Sequence, residues 1–173
     1  MPVTDRSPDT INYLSPLGFR FALSKAPEIN YFVQHVDIPD MTVDAATLPT
    51  PFNKVTYPGS KLTFGDLTLT FKVDENMTNY QYIYKWMSDI TLQEGFDGYK
   101  TRTATSAGTP GGVFSDATLI VMTSSYNANK QVVFKNIYPT HLSGLTFDST
   151  MSDINYLQAT VTFAMQKYEI LNA

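Results

Sequence analysis

The sequence predicts a mainly β fold, an antiparallel sandwich or barrel with one packed α-helix. The chain of 173 residues is rich in Tyr, Phe and Thr, with 13% aromatic and only 16% charged residues, a composition typical of strands. Several segments alternate apolar and polar residues with a period of two, whereas one segment has helical spacing. The length favours a single domain over residues 1–173, with an N-terminal arm at 1–15 and a long loop rich in Gly, Thr and Ser at 95–115.

The first half begins with two candidate strands. "LGFRFAL" places Phe19 and Phe21 on one face, and "NYFVQHVDI" follows as the second candidate. The stretch from residue 39 to 60 carries several prolines among few apolar residues. Because proline cannot donate to a sheet ladder, we expect a long excursion with short edge strands inside it.

Residues 65 to 90 change period partway along. "GDLTLTFK" alternates Leu67, Leu69 and Phe71 against threonine and lysine, which predicts a strand with one apolar and one polar face. Tyr80, Ile83, Tyr84, Met87 and Ile90 then repeat at helical spacing and predict a helix over about residues 78–90.

The second half adds three more candidate strands. "DATLIVMTS" and "KQVVFKNIY" flank an Asn-rich gap and predict a hairpin, while "YPTHLSGLTFD" predicts a turn. "NYLQATVTFAMQKYEI" predicts a long terminal strand. The residues predicted to form the core are Phe19, Phe21, Leu67, Leu69, Phe71, Ile83, Met87, Val161 and Phe163.

The residue types argue against catalysis and against cofactor or metal binding. There is no cysteine, and the two histidines, His35 and His141, are interpreted as a strand-surface and a turn histidine. No acid–base pair or activated nucleophile is recognisable, so we expect no enzyme activity, no cofactor and no metal. A net charge of −4 disfavours specific nucleic-acid binding, and no apolar run is long enough to span a membrane.

Several segments together resemble the tail tube proteins of contractile-tailed bacteriophages. The resemblance runs from "LGFRFAL" and "YFVQHVDIP" through "TYPGSKLTF" to its strongest part, "FGDLTLTFKVDENMTNYQYIYKWMSDI". It resumes at "KQVVFKNIYPTHLSGLTFD" and ends with "INYLQATVTFAMQKYEI", and so covers most of residues 17–170. That family shares its fold with the hemolysin-coregulated tube proteins of type VI secretion. The 95–115 loop departs from the family because it is long.

The resemblance implies a structural protein of the phage virion, assembled in the host cytoplasm. Six copies would form a ring whose sheets join edge to edge around a lumen, so that oligomerisation completes the fold. Neighbouring copies would then pair the edges of long alternating strands such as 156–168. Stacked rings would then conduct DNA without binding it specifically. The implied partners are further copies of the chain and the tail sheath, baseplate and neck proteins.

Two residue sets follow from this expected assembly. The residues expected to face the lumen are Thr68, Thr70, Lys72, Gln158, Thr160, Thr162 and Gln166. The residues expected at subunit or ring interfaces are Pro39, Met41, Leu48, Pro49, Phe52, Tyr57, Phe96 and Tyr99. Because counterion release requires clustered cations, a lining rich in Thr and Gln would hold DNA weakly. We therefore expect a neutral to acidic lumen.

Three alternatives stay open at this point. The chain could form an initiator ring at the baseplate or a terminator ring at the neck, with the same fold. It could be a secreted type VI tube protein. A sandwich that binds carbohydrate or peptide through its Tyr and Trp residues is the alternative from a different class.

Overall fold

The computed structural model describes residues 12–91, 100, 112–150 and 155–173. The predicted interface residues Phe96 and Tyr99 lie outside this part of the chain. So do most of the 95–115 loop and residues 1–11 of the expected N-terminal arm.

Nine strands and two helices lie wholly within the described residues. The strands of the first half are β1 (Phe19–Leu23), β2 (Val33–Asp37), β3 (Met41–Pro49), β4 (Lys54–Phe64) and β5 (Leu67–Lys72). Those of the second half are β6 (Ser115–Met122), β7 (Ala128–Leu142), β8 (Gln158–Ala164) and β9 (Lys167–Asn172). The helices are α1 (Pro27–Asn30), which the sequence did not predict, and α2 (Thr78–Thr91), which confirms the predicted helix.

Seven of these strands form two antiparallel layers that share β7. The first sheet has the order β1-β6-β7-β9 and the second has the order β7-β8-β5-β2. The N-terminal part of β7 pairs with β6 and β9, whereas its last residues pair with β8. This confirms the mainly antiparallel β fold, but the sheet is not closed into a barrel, because the path ends at β1 and β2.

A bend at Asn136 lets β7 pass from one sheet to the other. Asn136 has φ of 53°, a left-handed conformation that asparagine tolerates. The Asn136 N–H donates to Asp116 Oδ1 at 3.0 Å, and the Lys135 ammonium donates to Asp116 Oδ2 at 3.0 Å. One carboxylate therefore holds the strand where it changes sheets. Strands commonly switch sheets through such bends at the corners of packed sheets.

The core lies between the two sheets and against α2. In β5 and β8 every second side chain is buried, including Leu69, Val161 and Phe163. The Trp86 ring lies 6.0 Å from the Phe163 ring, and its indole N–H donates to the Val113 carbonyl at 3.0 Å. The helix thus closes one side of the core with its largest side chain.

The predicted core residues all lie in or against this core. Seven are buried: Phe21, Leu67, Leu69, Phe71, Ile83, Val161 and Phe163. Phe19 and Met87 are partly buried and pack against the others. The predicted helical stripe is wrong at Tyr84, which is 57% exposed. Trp86, which the stripe did not include, is fully buried.

The terminal strand is shorter than the sequence predicts. It bends after Ala164, so that β8 and β9 pair with successive parts of β7. Gln166 lies at the bend, where its side-chain oxygen accepts a hydrogen bond from the Asn136 amide.

The interpretation of His141 as a turn residue is wrong. β7 continues through the expected turn as far as Leu142, and His141 lies opposite Thr162 of β8.

Residues 41–64 form a two-stranded arm in place of the expected excursion with short edge strands. β3 and β4 pair over nearly their whole length, from Met41 opposite Phe64 to Pro49 opposite Lys54. The prolines are compatible with these long strands because Pro49 ends β3 and Pro58 lies beside a register shift. The arm is anchored at its base, where the Phe64 ring lies 5.3 Å from the Tyr168 ring of β9.

Candidate functional site

The second sheet presents a continuous polar face on the side away from the core. Thr68, Thr70 and Lys72 of β5 lie directly opposite Thr162, Thr160 and Gln158 of β8. The hydroxyl oxygens of Thr70 and Thr160 are 3.2 Å apart and share a hydrogen bond. We call this surface, together with the residues of β2 and β7 in the same rows, the polar face.

Both histidines of the chain belong to the polar face. His35 of β2 lies opposite Thr70, and Asp37 lies opposite Thr68. At the other side of the sheet, His141 of β7 lies opposite Thr162. One row therefore runs from Asp37 through two threonines to His141, across all four strands.

The polar face has little net charge. His35 Nε2 lies 2.9 Å from Asp37 Oδ1, and both side chains are more than half exposed. The Lys72 ammonium lies 5.0 Å from the centre of the Tyr156 ring, a cation–π geometry. One carboxylate and one ammonium on a surface of threonines and amides leave no cluster of cations that could hold a polyanion.

The four strands of this sheet differ in the edges that they leave free. β8 is paired on both sides, with β5 and with β7. Our expectation that a neighbouring copy completes the terminal strand is therefore wrong for β8. Within the described residues, β2 pairs only with β5, and residues 138–142 of β7 pair only with β8. The two open edges of the sheet are thus β2 and the end of β7.

In the first sheet β9 is an edge strand that carries an exposed ion pair. Lys167 Nζ lies 2.6 Å from Glu169 Oε1. The hydrogen bond from Lys167, together with its charge, lowers the pKa of Glu169. Charged side chains of this kind discourage unwanted pairing at a sheet edge.

A cleft of about 540 Å³ separates β1 from β2, where the sheet fails to close. Phe19 and Arg20 line one wall, and Val33 and Gln34 line the other. Leu17, Tyr31 and Tyr126 also line the cleft and are 81%, 89% and 72% exposed. Apolar side chains at an open sheet edge are typical of a surface that another protein covers.

Among the described residues, the β3–β4 arm with its connecting turn has more exposed large apolar side chains than any other part of the fold. Phe52 near its tip is fully exposed. The other exposed apolar residues of the arm are Met41, Val43, Leu48, Tyr57 and Leu62, each about half exposed. A two-stranded hairpin is marginally stable without a further layer, so this arm is suited to contact with another molecule.

The predicted site residues fall into two groups in space. Four of the seven residues predicted to face a lumen form the centre of the polar face, namely Thr68, Thr70, Thr160 and Thr162. Lys72 and Gln158 lie opposite each other at one end of this face, and Gln166 lies at the bend. Of the predicted interface residues, Met41, Leu48, Pro49, Phe52 and Tyr57 lie exposed on the arm. Pro39 is buried within the chain, and its carbonyl accepts a hydrogen bond from the Tyr168 hydroxyl at 3.3 Å.

Sequence reasoning missed the contributions of β2 and β7 to the polar face. A period of two would have placed His35 and Val33 on the same face, but the pairing with β5 shifts between them. A second shift lies between Pro139 and His141 in β7. The histidines themselves were the available signal, because His35 and Asp37 are two residues apart in a strand and share a face.

Among residues 12–91, 100, 112–150 and 155–173, no three His, Cys, Asp or Glu side chains gather as a metal site would need. A search of the same residues finds no helix that is both long and apolar enough to cross a membrane.

The fold and its uncovered surfaces define a structural protein built to assemble. The chain belongs to the phage tail tube proteins, since the family model described as "Phage tail tube protein" matches residues 6–171. This confirms the resemblance found in the sequence. The family consists of structural proteins, so the chain is not an enzyme. No curated protein sequence matches the chain significantly.

Several solved structures share the fold over most of the chain. The tube-terminating cap of the anti-feeding prophage is 14% identical, covers 100% of both chains and has a TM-score of 0.67. A chain of the sheath–tube complex of an extracellular contractile injection system, PVC, is 15% identical over 93% of both chains, with a TM-score of 0.62. Hcp1 from Flavobacterium johnsoniae is 14% identical over 91% of this chain and 94% of its own, with a TM-score of 0.50.

Proposed function

We propose that this protein is the repeating subunit of a bacteriophage tail tube, in which hexameric rings stack around a lumen that conducts DNA. The family supports a tube-like structural role, and the further details belong to the proposal. In this arrangement sheath, baseplate and neck proteins are partners of the assembled tube. The tube is part of the virion and assembles in the host cytoplasm.

The open edges of the second sheet carry this proposal. β2 and the end of β7 are the two sides of one four-stranded sheet, and both lack a further strand within the described residues. If β2 of one copy pairs with β7 of the next, the sheet continues from copy to copy. The contact joins two different surfaces of the chain. Repeating it therefore produces a ring if the rotation from one copy to the next leads back to the first copy.

The polar face then becomes the lining of the ring. The apolar face of the second sheet is covered by α2 and the first sheet, so the side with Thr70 and Thr160 is the one left open. Its threonines and amides offer a passing polyanion few cations with which to exchange counterions.

The β3–β4 arm is the proposed contact between stacked rings. β4 has 11 residues, which corresponds to about 36 Å of extended chain. Phe52 near the tip is fully exposed, so burial of this ring against another copy would stabilise the contact by about 1.5–3 kcal/mol.

Cross-linking between copies tests the ring. The sequence has no cysteine, so engineered cysteines react only with each other. Within one chain Asp37 and His141 are three strands apart, about 14 Å, which exceeds the reach of a disulfide. We expect oxidised D37C/H141C or D37C/T140C protein to give covalent oligomers up to six copies in denaturing, non-reducing electrophoresis.

The matched control is D37C/T118C. Thr118 is on the first sheet, away from the proposed contact between β2 of one copy and β7 of the next. The ring would be contradicted if D37C/H141C and D37C/T140C both stayed monomeric. It would also be contradicted if the control variant cross-linked equally well. Electron microscopy of the purified protein shows rings or tubes independently.

A terminator ring is the second candidate function. The cap of the anti-feeding prophage, described as tube-terminating, matches this chain over its full length. At 14% sequence identity, this match shows a shared fold and does not show a shared role. Polymerisation separates the two roles, because a tube subunit forms long uniform filaments whereas a terminator stops at a single ring.

A further inference from the structure

We propose that Phe147 of one copy inserts into the cleft between β1 and β2 of the next copy, where Asp148 pairs with Arg20 on the cleft wall. The contact rests on the proposed function, because it accompanies the pairing of β2 in one copy with β7 in the next. It adds a contact between side chains to that pairing of strands.

The direction of the strands brings the chain after β7 toward the cleft. Neighbouring strands of the second sheet are antiparallel throughout, so β2 and β7 run in opposite directions. If β7 of one copy extends the sheet beside β2 of another, these two strands are antiparallel as well. The chain that follows Leu142 therefore continues toward Val33, at the end of β2 where the cleft lies.

A hydrogen bond within the chain shows where the segment after β7 begins. The Ser143 N–H donates to the Thr160 carbonyl at 2.8 Å, and Thr160 lies in the same row of the sheet as His35. Val33, which lines the cleft, is in the next row. Four further residues, up to about 14 Å of extended chain, separate Ser143 from Phe147. Phe147 is therefore within reach of the row at which the cleft opens.

Phe147 is an apolar side chain that its own chain leaves uncovered. Leu145, two residues earlier, packs against the core, whereas Phe147 is 73% exposed. The cleft is also apolar and open, since Phe19 and Val33 line it together with the exposed ring of Tyr31. Insertion of the Phe147 ring would remove apolar surface of both copies from water.

The two surfaces also carry opposite charges. Arg20 is the one charged residue among those that line the cleft, and Asp148 is the one charged residue of the segment 143–150. Both are exposed. The Thr150 N–H and hydroxyl donate to Asp148 Oδ1 at 2.8 and 2.6 Å, so the carboxylate is held in place and keeps further acceptor positions. A guanidinium can bind such a carboxylate through two parallel hydrogen bonds.

Cross-linking of two mixed variants tests the contact directly. L17C places a thiol at the cleft, and the native sequence has no cysteine. We expect oxidation of tagged L17C mixed with untagged F147C to give a covalent dimer of mixed mass in non-reducing electrophoresis. A disulfide between two different variants necessarily joins two copies. L17C mixed with Y84C is the matched control and should give little mixed dimer; equal yields from the two mixtures would overturn the contact.

The F147S variant tests how much the contact stabilises the assembly. Its monomer should stay folded, because the replaced ring is exposed. The protein concentration at which half of the chains are assembled should rise at least about tenfold in sedimentation velocity. Y84S, which also replaces an exposed ring, should leave this concentration unchanged. Native assembly by F147S would overturn the insertion of Phe147.

Charge reversal tests the pairing of Asp148 with Arg20. R20E and D148R should each weaken assembly several-fold, and the R20E/D148R double variant should recover most of the loss. D148R also removes the hydrogen bonds from Thr150, but R20E cannot restore these. Recovery in the double variant therefore reports the contact between copies, and a double variant as weak as D148R would overturn the pair.

Failure of this contact is distinguishable from failure of the proposed function. Rings or tubes that form equally well with F147S and give no mixed dimer would overturn the contact and leave the tube intact. A mixed dimer from a protein that forms only open chains would support the contact and overturn the closed ring. Native protein that stays monomeric at high concentration would overturn both.

Discussion

Val161 shows at the scale of one residue which face of the terminal strand is buried. It is fully buried, opposite Leu69 of β5 and Leu142 of β7. Thr160, the next residue, is partly exposed on the polar face, where its hydroxyl contacts that of Thr70. Adjacent residues of one strand thus lie in opposite environments.

The V161D variant should fail to fold. An unpaired carboxylate in this position costs several kcal/mol, against a total stability of about 5–15 kcal/mol for a typical domain. T160D is the matched control and should yield soluble protein with a cooperative urea transition. Soluble, folded V161D protein would show that the two faces are inverted.

Lys72 provides the complementary test on the polar face. K72E removes the contact with the Tyr156 ring, so we expect a loss of stability of about 1 kcal/mol or less. The far-ultraviolet circular dichroism should stay the same, and urea denaturation measures the difference. Loss of folded protein would contradict an outward-facing Lys72.

Residue-level prediction worked where the strands are regular. The alternation of β5 and β8 placed Thr68, Thr70, Thr160 and Thr162 on one face, and burial agrees. It failed for His141, which was interpreted as a turn residue but lies in β7, beside a register shift that changes the local period. Such shifts depend on pairing with a distant strand and leave no regular signal in the sequence.

At the scale of elements, the β3–β4 arm differs most from the prediction. Its prolines suggested short strands, but an isolated two-stranded ladder requires only one set of hydrogen bonds from each strand. The helix differs in a subtler way. Its stripe predicted a buried Tyr84, whereas the sheets pack against Ile83 and Trp86 and leave Tyr84 exposed.

Replacing apolar residues of the arm should separate assembly from folding. The L48S/F52S variant removes two exposed side chains, so monomer stability should change by less than about 0.5 kcal/mol. Stacking should weaken, giving shorter tubes or single rings by electron microscopy and sedimentation. The control variant is Y84S, which replaces an exposed aromatic side chain on α2. It should assemble as the native protein does. Tubes of normal length from L48S/F52S would exclude the arm as a stacking contact.

At the scale of the whole molecule, the sequence predicted the class of fold but not which strands lie at the edges of the sheets. Strand and helix positions follow from periodicity within short segments. Strand order does not, because it depends on which distant strands pair. β8 was therefore expected at an edge, yet it is central, and the open edges belong to β2 and β7.

Hydrogen exchange can compare these edges in the monomer and in the assembly. Peptides covering 33–37 and 138–142 should become more protected on assembly, because their outward amides gain partners from the next copy. The peptide covering 158–164 is the internal control, since β8 is already paired on both sides. Mass spectrometry of both forms gives the comparison, and unchanged exchange at 33–37 would argue against a continuous sheet.

The bend of β7 at Asn136 has a mechanical consequence. Because one unbroken backbone belongs to both sheets, a force that slides one layer over the other is carried partly by covalent bonds. The Asp116 carboxylate accepts hydrogen bonds from Lys135 and from the Asn136 N–H at the bend, and so resists its straightening. A cylinder wall made of such units would transmit a sudden force along its axis without separation of the two sheets within a unit.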